Sequence, residues 1–340
     1  MSDESIQRPL ITGGAGFIGS NFVHYLSSQA PSVHPVVFDA LTYAANVQNL
    51  NGIDPASYDF VCGDIRDGEV LERVVSDYQI DAIVNFAAES HNDNSIVDAA
   101  PFISTNVVGT YTLLELARRH NLRFHQVSTD EVYGDLALDD PGRFTESSPY
   151  RPSSPYSASK AAADHLVRAW FRTYGVRVTL SNCSNNYGPR QHVEKFIPRQ
   201  ITNILDGRRP RLYGDGSAVR DWIGVEDDCS AIWTIVTRGQ IGQTYLIGAN
   251  GEHSNREVLE LILQLMGRPG DDYIQVADRP GGDRRYALDA SKLTQQLDWQ
   301  PKQRDFTAGL AATIDWYRVH RDWWQSSKAR TEERYLSQGH

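Results

Sequence analysis

The sequence predicts an α/β fold in which a doubly wound parallel sheet carries a smaller C-terminal lobe. Short apolar runs alternate with segments of helical periodicity as far as residue 188. Such alternation is typical of a parallel sheet with right-handed crossovers. The run 80–88 is apolar almost throughout, as expected for a parallel strand that is buried on both faces.

The first strand, helix and second strand together predict a nucleotide-binding unit of Rossmann type. Glycines 13, 16 and 19 follow an apolar strand, Pro9–Thr12, and precede apolar residues of helical spacing from Phe22 to Leu26. They permit a tight turn, and the helix N-terminus can receive a pyrophosphate. The second strand ends in Asp39, about 20 residues later, where an acid binds the ribose of NAD and repels the phosphate of NADP. We therefore expect NAD, the alternative being that Asp39 only caps the next turn.

The following segments continue the alternation. We expect a strand at 58–62, a helix at 70–78, a strand at 80–88, a helix at 106–120, a strand at 122–127, a helix from 156 to about 173 and a strand at 176–180. Ser154 and Pro155 suit the start of the helix from 156 to about 173, as a cap and a first-turn proline. Beyond Pro189 the alternation stops, and a strand at 244–248 is expected to rejoin the sheet.

Proton-handling side chains follow the strand at 122–127. Thr129, Asp130 and Glu131 come where its carboxyl end is expected, and ligands bind at that edge of an α/β sheet. Tyr156 and Lys160 lie four residues apart, hence on one helix face. An ammonium beside a phenol lowers the pKa of the phenol, so Tyr156 is a candidate base. A solvated loop and an ordinary surface pair are the structural alternatives.

Two basic, turn-rich segments, 190–222 and 278–286, stand out in an acidic protein. They suit a lobe that closes over an anionic substrate, although solvated charged loops have the same composition. We expect residues 1–188, with returning segments near 223–250, to form the NAD-binding domain. Residues 189–325 would be mainly the substrate-binding lobe, and the polar residues 326–340 a flexible tail.

Composition excludes several classes of protein. The net charge of −10 and pI of about 5.5 argue against a nucleic-acid or anionic-membrane partner. No apolar run approaches the roughly 18 residues that span a bilayer. Three scattered cysteines fit a reducing cytoplasm and predict neither a disulfide framework nor a metal site.

These motifs resemble those of the extended short-chain dehydrogenase/reductases, and within them the dTDP-glucose 4,6-dehydratases. The glycine turn at 12–19 and the Tyr156-x-x-x-Lys160 pair are the general features. Segments 39–46, 128–134 and 278–286 resemble the dehydratases' adenosine loop, catalytic loop and nucleotide-diphosphate clamp. The resemblance runs from about Arg8 to Trp324, with departures at Asn92, Asn94 and Gly282 that leave the proton-transfer groups untouched.

The resemblance implies a role for each matching residue. The catalytic residues would be Thr129, Asp130, Glu131, Tyr156 and Lys160. The residues expected to bind NAD are Gly13, Gly16, Phe17, Ile18, Gly19, Asp39, Leu41, Thr42, Asp64, Ile65, Ala87, Ala88, Thr105, Tyr156, Lys160 and Asn186. Those expected to hold a nucleotide sugar are Ser90, Thr129, Asn185, Lys195, Tyr213, Arg220, Asn255, Arg279, Asp283 and Tyr286.

The implied reaction is the dehydration of dTDP-glucose to dTDP-4-keto-6-deoxyglucose. Tyr156 would deprotonate the 4-hydroxyl during hydride transfer to NAD, with Lys160 holding the phenolate and Thr129 the 4-oxygen. Glu131 would remove the C5 proton and Asp130 protonate the leaving 6-hydroxyl, before hydride returns to C6 and a proton returns to C5. Neighbouring carboxyls repel each other's charge, and the sequence leaves open which one is protonated at rest.

Three alternatives stay open at this point. A dehydratase for another nucleotide sugar would share every catalytic residue, since few contacts recognise the base. A 4-epimerase needs no acid/base pair, so Asp130 and Glu131 argue against it. A non-catalytic nucleotide-sugar or NAD-binding regulator could share the fold, but would not need the full catalytic set. The resemblance also implies a cytoplasmic homodimer paired through helices that flank the sheet.

Overall fold

The sheet of the computed structural model, which describes residues 6–278 and 282–337, contains the strands expected from the apolar runs. The strands are β1 Pro9–Thr12, β2 Val36–Asp39, β3 Asp59–Cys62, β4 Ala82–Asn85, β5 Arg123–Thr129, β6 Val178–Cys183, β7 Asn185–Tyr187, β8 Arg211–Tyr213, β9 Val219–Gly224, β10 Thr244–Ile247, β11 Glu252–Ser254 and β12 Ile274–Val276. Seven of them form one sheet in the order β10-β6-β5-β4-β1-β2-β3. All neighbouring pairs in it are parallel, which confirms the predicted fold class.

Helices cover both faces of this sheet. The helices are α1 Phe17–Gln29, α2 Gly68–Tyr78, α3 Asn92–Val97, α4 Ala100–Phe102, α5 Thr110–His120, α6 Pro155–Tyr174, α7 Phe196–Leu205, α8 Val225–Arg238, α9 Asn255–Leu265, α10 Ser291–Leu297, α11 Phe306–Val319 and α12 Arg321–Ser337. Because strand side chains alternate between faces, Leu10 and Ile11 enter different cores. Ile11 packs with α1 and α8, and Leu10 packs with α2 and α5.

Local sequence explains where α6 begins and ends. Ser154 and Ser157 form a reciprocal capping box around Pro155, and Gly175 closes the helix in the left-handed conformation. These signals are the strongest a helix can carry. They fix the helix that holds Tyr156 and Lys160 against β5 and β6.

The smaller lobe is built from two short sheets and their helices. β7 follows β6 after a single residue and pairs with β9, which also pairs with β11. β8 and β12 form a separate parallel pair. The chain therefore passes from the large sheet directly into the smaller lobe at Ser184, beside the ends of β5 and β6.

Several boundaries differ from the sequence prediction. β4 stops at Asn85, and a π-helical turn, Ile103–Gly109, precedes α5. β5 continues through Thr129, because its register with β6 extends to Cys183. Residues 326–337, expected to be a loose tail, are helical. Lys328 is buried there and donates to Glu332 at 2.8 Å, and Trp324 at the start of the same helix packs into an apolar cluster with Tyr317. Among the described residues, no helix is both long and apolar enough to cross a bilayer.

Candidate active site

A cleft of about 390 Å³ opens at the carboxyl ends of the large sheet. Its walls contain all five predicted catalytic residues and nearly all of the residues predicted to bind NAD. The members of the NAD set that line it are Gly13, Gly16, Phe17, Ile18, Gly19, Asp39, Thr42, Asp64, Ile65, Ala87, Ala88, Thr105, Tyr156, Lys160 and Asn186. Leu41 does not line it, since its backbone turns at φ 53° and its side chain is partly exposed.

The glycine turn brings backbone against backbone at one end of the cleft. Gly13 has φ 68°, and a Cβ there would lie 2.7 Å from the backbone nitrogen of Ala87. A Cβ on Gly19 would lie 2.3 Å from the carbonyl oxygen of Gly13. Only glycine fits these two positions, and the N-terminus of α1 is left facing the cleft, where its free N–H groups suit a pyrophosphate.

The next side chain along this edge is Asp39, at the end of β2. Its carboxylate accepts hydrogen bonds from the backbone N–H groups of Ala15 and Leu41, at 2.9 and 2.8 Å. Burial raises its pKa, and these two bonds oppose the rise. The acid is thereby held at the mouth of the glycine turn, as the sequence predicts. Asp64, beyond it, pairs with Arg66, which lowers the pKa of Asp64.

The catalytic loop is a single turn of 3₁₀ helix, Asp130–Tyr133, at the end of β5. Thr129 caps it by accepting a hydrogen bond from the Glu131 N–H, at 3.3 Å. Its hydroxyl donates to Asp130 Oδ1, at 3.2 Å. Asp130 is 2% exposed, and its Oδ2 has no hydrogen-bond partner among the described residues. The loop therefore places an unpartnered carboxyl oxygen of Asp130, as far as the described residues go, in a residue that lines the cleft.

Burial raises the pKa of both carboxyls. The pKa of Asp130 is raised well above its ordinary value by burial, then by the charges of Glu131 and Asp221. Burial raises the pKa of Glu131 to about 7, although Lys195 and Arg220 oppose the rise. The structure thus favours the protonated form of Asp130, beside a Glu131 whose pKa is raised to about 7.

Tyr156 and Lys160 line the same cleft, but their charges do not interact as the sequence prediction requires. Burial first, and then the charge of Glu131, raise the pKa of Tyr156 well above its ordinary value. Lys160 donates from Nζ to the carbonyl oxygen of Val127, at 2.8 Å. The predicted lowering of the Tyr156 pKa by Lys160 is therefore wrong for the protein alone, because desolvation outweighs a charge that is directed elsewhere.

The predicted nucleotide-sugar residues fall into two groups. Ser90, Thr129, Asn185 and Lys195 line the cleft, and Lys195 Nζ donates to the carbonyl oxygen of Ser90, at 2.8 Å. This contact ties the start of α7 to the loop after β4. It holds the smaller lobe against the NAD-binding edge of the sheet.

The second group lies in the smaller lobe, outside the walls of the cleft. Its members are Tyr213, Arg220, Asn255, Asp283 and Tyr286. The Arg220 guanidinium lies 4.5 Å from the ring centre of Tyr286 and donates to the carbonyl oxygen of Asp283, at 2.9 Å. Its charge acts on both Asp130 and Glu131, so this group adjoins the catalytic loop. Arg279 lies outside the described residues.

Comparisons with known proteins agree with this geometry. A family model for GDP-mannose 4,6-dehydratase matches residues 10–313. The dTDP-glucose 4,6-dehydratase of Mycolicibacterium smegmatis is 58% identical over 98% of this chain and 99% of its own length. The chain belongs to the dTDP-glucose 4,6-dehydratase family. This confirms the resemblance drawn from the sequence motifs.

Solved structures of both a dehydratase and an epimerase resemble this chain. The dTDP-glucose 4,6-dehydratase of Streptomyces venezuelae, solved with NAD and dTDP, is 48% identical, with a TM-score of 0.90 over 94% of this chain and 100% of that one. A UDP-glucose 4-epimerase from Thermus thermophilus, solved with NAD, reaches a TM-score of 0.84 over 92% of this chain and 100% of that one at 30% identity. The dehydratase and the epimerase have the same fold, so fold similarity does not separate the two activities. The side chains of the predicted catalytic loop have to separate them.

Several polar residues of this dehydratase cleft were not predicted from the sequence. Ser128, Cys183 and Ser184 line it at the ends of β5 and β6, a place that the strand pattern could have indicated. Glu194 also lines it, and its carboxylate lies 3.6 Å from His91 and 3.7 Å from His192. No local signal marks Glu194, because its segment meets that of His91 only in the folded chain.

Proposed function

We propose that this chain is an NAD-dependent hydro-lyase that converts dTDP-glucose to dTDP-4-keto-6-deoxyglucose. The observation that carries the proposal is the pairing of a buried carboxyl, Asp130, and a half-buried carboxyl, Glu131, with Tyr156 in one cleft. An epimerase does not need such a pair, whereas loss of water needs both an acid and a base. The dehydratase relatives match the chain over nearly its whole length.

The cleft fits NAD on its own geometry. The glycine turn leaves room for a backbone-bound pyrophosphate, and Asp39 stands where the adenosine ribose would be held. Ser184 Oγ and the side-chain oxygens of Asn185 and Asn186 are buried in the cleft without a partner among the described residues. When bound, NAD accepts a hydride from the sugar and later returns it. Gly13, Gly16, Phe17, Ile18 and Gly19 would hold its pyrophosphate side, and Thr105, Lys160 and Asn186 its nicotinamide side.

Residues on α6 and β5 carry out the first step, which is the deprotonation of the sugar 4-hydroxyl. Tyr156 removes the proton of the sugar 4-hydroxyl, and Thr129 orients the 4-oxygen. Lys160 would hold the nicotinamide ribose and supply positive charge there. The raised pKa of Tyr156 disfavours its phenolate in the protein alone, so nearby positive charge would have to assist its ionisation, and NAD would add such charge when bound.

The elimination falls to the carboxyl pair. Glu131, whose pKa is about 7, removes the C5 proton that the 4-ketone has made acidic. The pKa of Asp130 is raised well above its ordinary value, which favours its protonated form, and Asp130 gives that proton to the departing 6-hydroxyl. Burial therefore provides an acid and a base from two adjacent residues, by shifting one pKa further than the other.

The remaining contacts would come from the smaller lobe. Ser90, Asn185 and Lys195 would hold the sugar and phosphates, while Tyr213, Arg220, Asn255, Arg279, Asp283 and Tyr286 would close over the nucleotide. Residues 189–325 thus form mainly a substrate-binding lobe on the NAD-binding domain of residues 1–188. The unpaired state of Cys62, Cys183 and Cys229 supports a cytoplasmic enzyme.

Exposed apolar side chains support a homodimer. Ile103, Val108 and Tyr111 are about half exposed at and before the start of α5, and Tyr174 is 54% exposed at the end of α6. Tyr111 and Tyr174 both contact Trp170, so these side chains form one patch. Large apolar patches on helices are typical of contacts with another chain. We propose that two copies pair through this helix face.

The test is incubation of dTDP-glucose with the purified protein and NAD in deuterated water, followed by mass spectrometry. We expect loss of one water and retention of one deuterium at C5. Tyr156→Phe should abolish turnover and leave dTDP binding within about twofold. Turnover of only another nucleotide sugar would move the substrate and keep the mechanism. Binding of NAD without any turnover would overturn the enzyme assignment.

A further inference from the structure

Asp164 is a buried carboxylate that the mechanism above does not use. It lies on α6, four residues after Lys160 and eight after Tyr156, so all three share one face of the helix. Its side chain is completely buried. A buried charge is costly unless cations and hydrogen-bond donors surround it, so its partners indicate what it does.

Three donors converge on one oxygen of this carboxylate. Asp164 Oδ2 accepts from Ser128 Oγ at 2.8 Å, from the Tyr150 hydroxyl at 2.9 Å and from Asn182 Nδ2 at 3.2 Å. Asn182 Nδ2 also donates to the carbonyl oxygen of Thr129, at 3.2 Å. Asp164 is thereby connected to the end of β5, where the catalytic loop begins.

The other oxygen, Asp164 Oδ1, has no hydrogen-bond partner among the described residues. Burial raises the pKa of Asp164, and this rise is opposed by the charge of Lys160, by the Ser128 and Tyr150 hydrogen bonds and by the charge of Arg168. Lys160 is 5% exposed, and burial lowers its pKa while the charge of Asp164 opposes this fall. Each residue therefore reduces the cost of burying the other's charge.

We propose that Asp164 is a positioning residue for the reaction, which holds Lys160 as a cation and fixes the strand end that carries Thr129. The proposal rests on the function proposed above, because Lys160 and Thr129 act there on cofactor and sugar. Asp164 itself would contact neither the cofactor nor the sugar. Its loss should weaken the chemical step more than it weakens binding of the sugar nucleotide.

The substitution Asp164→Asn isolates the charge. The amide oxygen can replace Oδ2 and keep all three donors, while the amide nitrogen takes the place of the unpartnered Oδ1. We expect kcat to fall about tenfold or more, as for other residues that support catalytic groups, with KM for dTDP-glucose changed by less than about threefold. Tyr150→Phe, which removes one donor and keeps the carboxylate, is the matched control and should retain kcat within about threefold.

The charge of Lys160 can be observed directly by ¹³C NMR of protein labelled at the lysine ε-carbons. The sequence contains five lysines, Lys160, Lys195, Lys292, Lys302 and Lys328, and Lys160→Met assigns the signal. The ionisable groups facing Lys160 are Asp164 and Cys183, and those facing Asp164 are Lys160, Arg168, Tyr133 and Tyr150. We expect Lys160 to remain protonated at pH 8 in the unmutated protein and to lose its proton at lower pH in Asp164→Asn.

Two results would overturn the proposal. One is a neutral Lys160 at pH 8 in the unmutated protein, which can be seen even if Asp164→Asn does not fold. The other is a folded Asp164→Asn variant with unchanged kcat and unchanged Lys160 titration. Inactivity of the unmutated protein on dTDP-glucose would instead count against the proposed function, so the two failures are distinguishable.

Discussion

At the scale of single residues, burial decides the chemistry of this cleft. Asp130, Glu131 and Tyr156 carry ordinary side chains whose pKa values are all raised, with desolvation as the largest cause in each case. Desolvation favours whichever form of a group is neutral. The same environment therefore keeps Asp130 ready to donate a proton and makes Tyr156 dependent on added positive charge.

The raised pKa of Glu131 predicts how stability depends on pH. The folded state keeps this proton up to about pH 7, whereas the unfolded chain releases it near pH 4.5. Between these values the folded state binds more protons, so stability falls as pH rises. We expect Glu131→Gln to unfold at a higher temperature than the unmutated protein at pH 8, and the difference to vanish at pH 4. Glu115→Gln is the control, since Arg118 lowers the pKa of Glu115; an equal gain there would contradict the argument.

The division of roles between the carboxyls predicts a partial reaction. Asp130→Asn combined with Glu131→Gln leaves Tyr156, Thr129 and Lys160 in place. We expect this double variant to oxidise the sugar once, seen as NADH absorbance, without releasing water or product. The measurement is a single-turnover absorbance trace together with mass spectrometry of the sugar nucleotide. Dehydration at the unmutated rate would refute the assignment of acid and base.

At the scale of elements, the cleft depends on where strands end and helices begin. The turn between β1 and α1 approaches the loop after β4 so closely that Gly13 has no room for a side chain. β5 continues through Thr129 into the 3₁₀ turn, and the capping box of α6 sets Tyr156 opposite it. Catalytic groups on rigid element ends are held more precisely than groups on long loops.

The glycine turn predicts a binding defect that can be separated from backbone strain. Gly13→Ala combines a left-handed backbone with a clash against Ala87. Gly175 has a nearly equal φ of 71° with nothing within 4 Å of a Cβ, so Gly175→Ala carries the strain alone, about 1–2 kcal/mol. We expect Gly13→Ala to lose NAD affinity by at least about tenfold, and Gly175→Ala to bind NAD normally despite a lower unfolding temperature. Isothermal titration and thermal melts measure both, and equal NAD affinity in the two variants would rule out the clash.

At the scale of the whole molecule, two lobes meet along the carboxyl edge of the sheet. The chain crosses between them at Ser184, and the Lys195 contact to Ser90 ties them together. Arg220 reaches from the smaller lobe toward the catalytic carboxyls. On the opposite flank, the patch of Ile103, Val108, Tyr111 and Tyr174 leaves apolar surface exposed, which suits burial against a second copy.

The proposed homodimer can be tested by charging this patch. Val108→Asp places a carboxylate where the second copy would pack, and desolvating an unpaired charge opposes association. We expect a dimer for the unmutated protein and a monomer for the variant, measured by light scattering after size-exclusion chromatography. Val319→Asp is the control, because Val319 is 73% exposed on α11 and outside the patch. A monomeric unmutated protein, or a dimeric Val108→Asp, would count against this face.

The sequence by itself predicted the alternating strands and helices of the large sheet, the glycine turn, Asp39 and the candidate catalytic side chains. Local signals sufficed there, because apolar period, capping residues and motif spacing are properties of short segments. These local signals did not predict the helix at 326–337, because the burial of Lys328 depends on its contacts with Asn203 and Glu332. Only the tertiary structure decided that the pKa of Tyr156 is raised, that Glu194 lies between two histidines, and that Asp164 supports Lys160 and Thr129. Each of these depends on burial and on neighbours distant in the chain, which no short segment of sequence encodes.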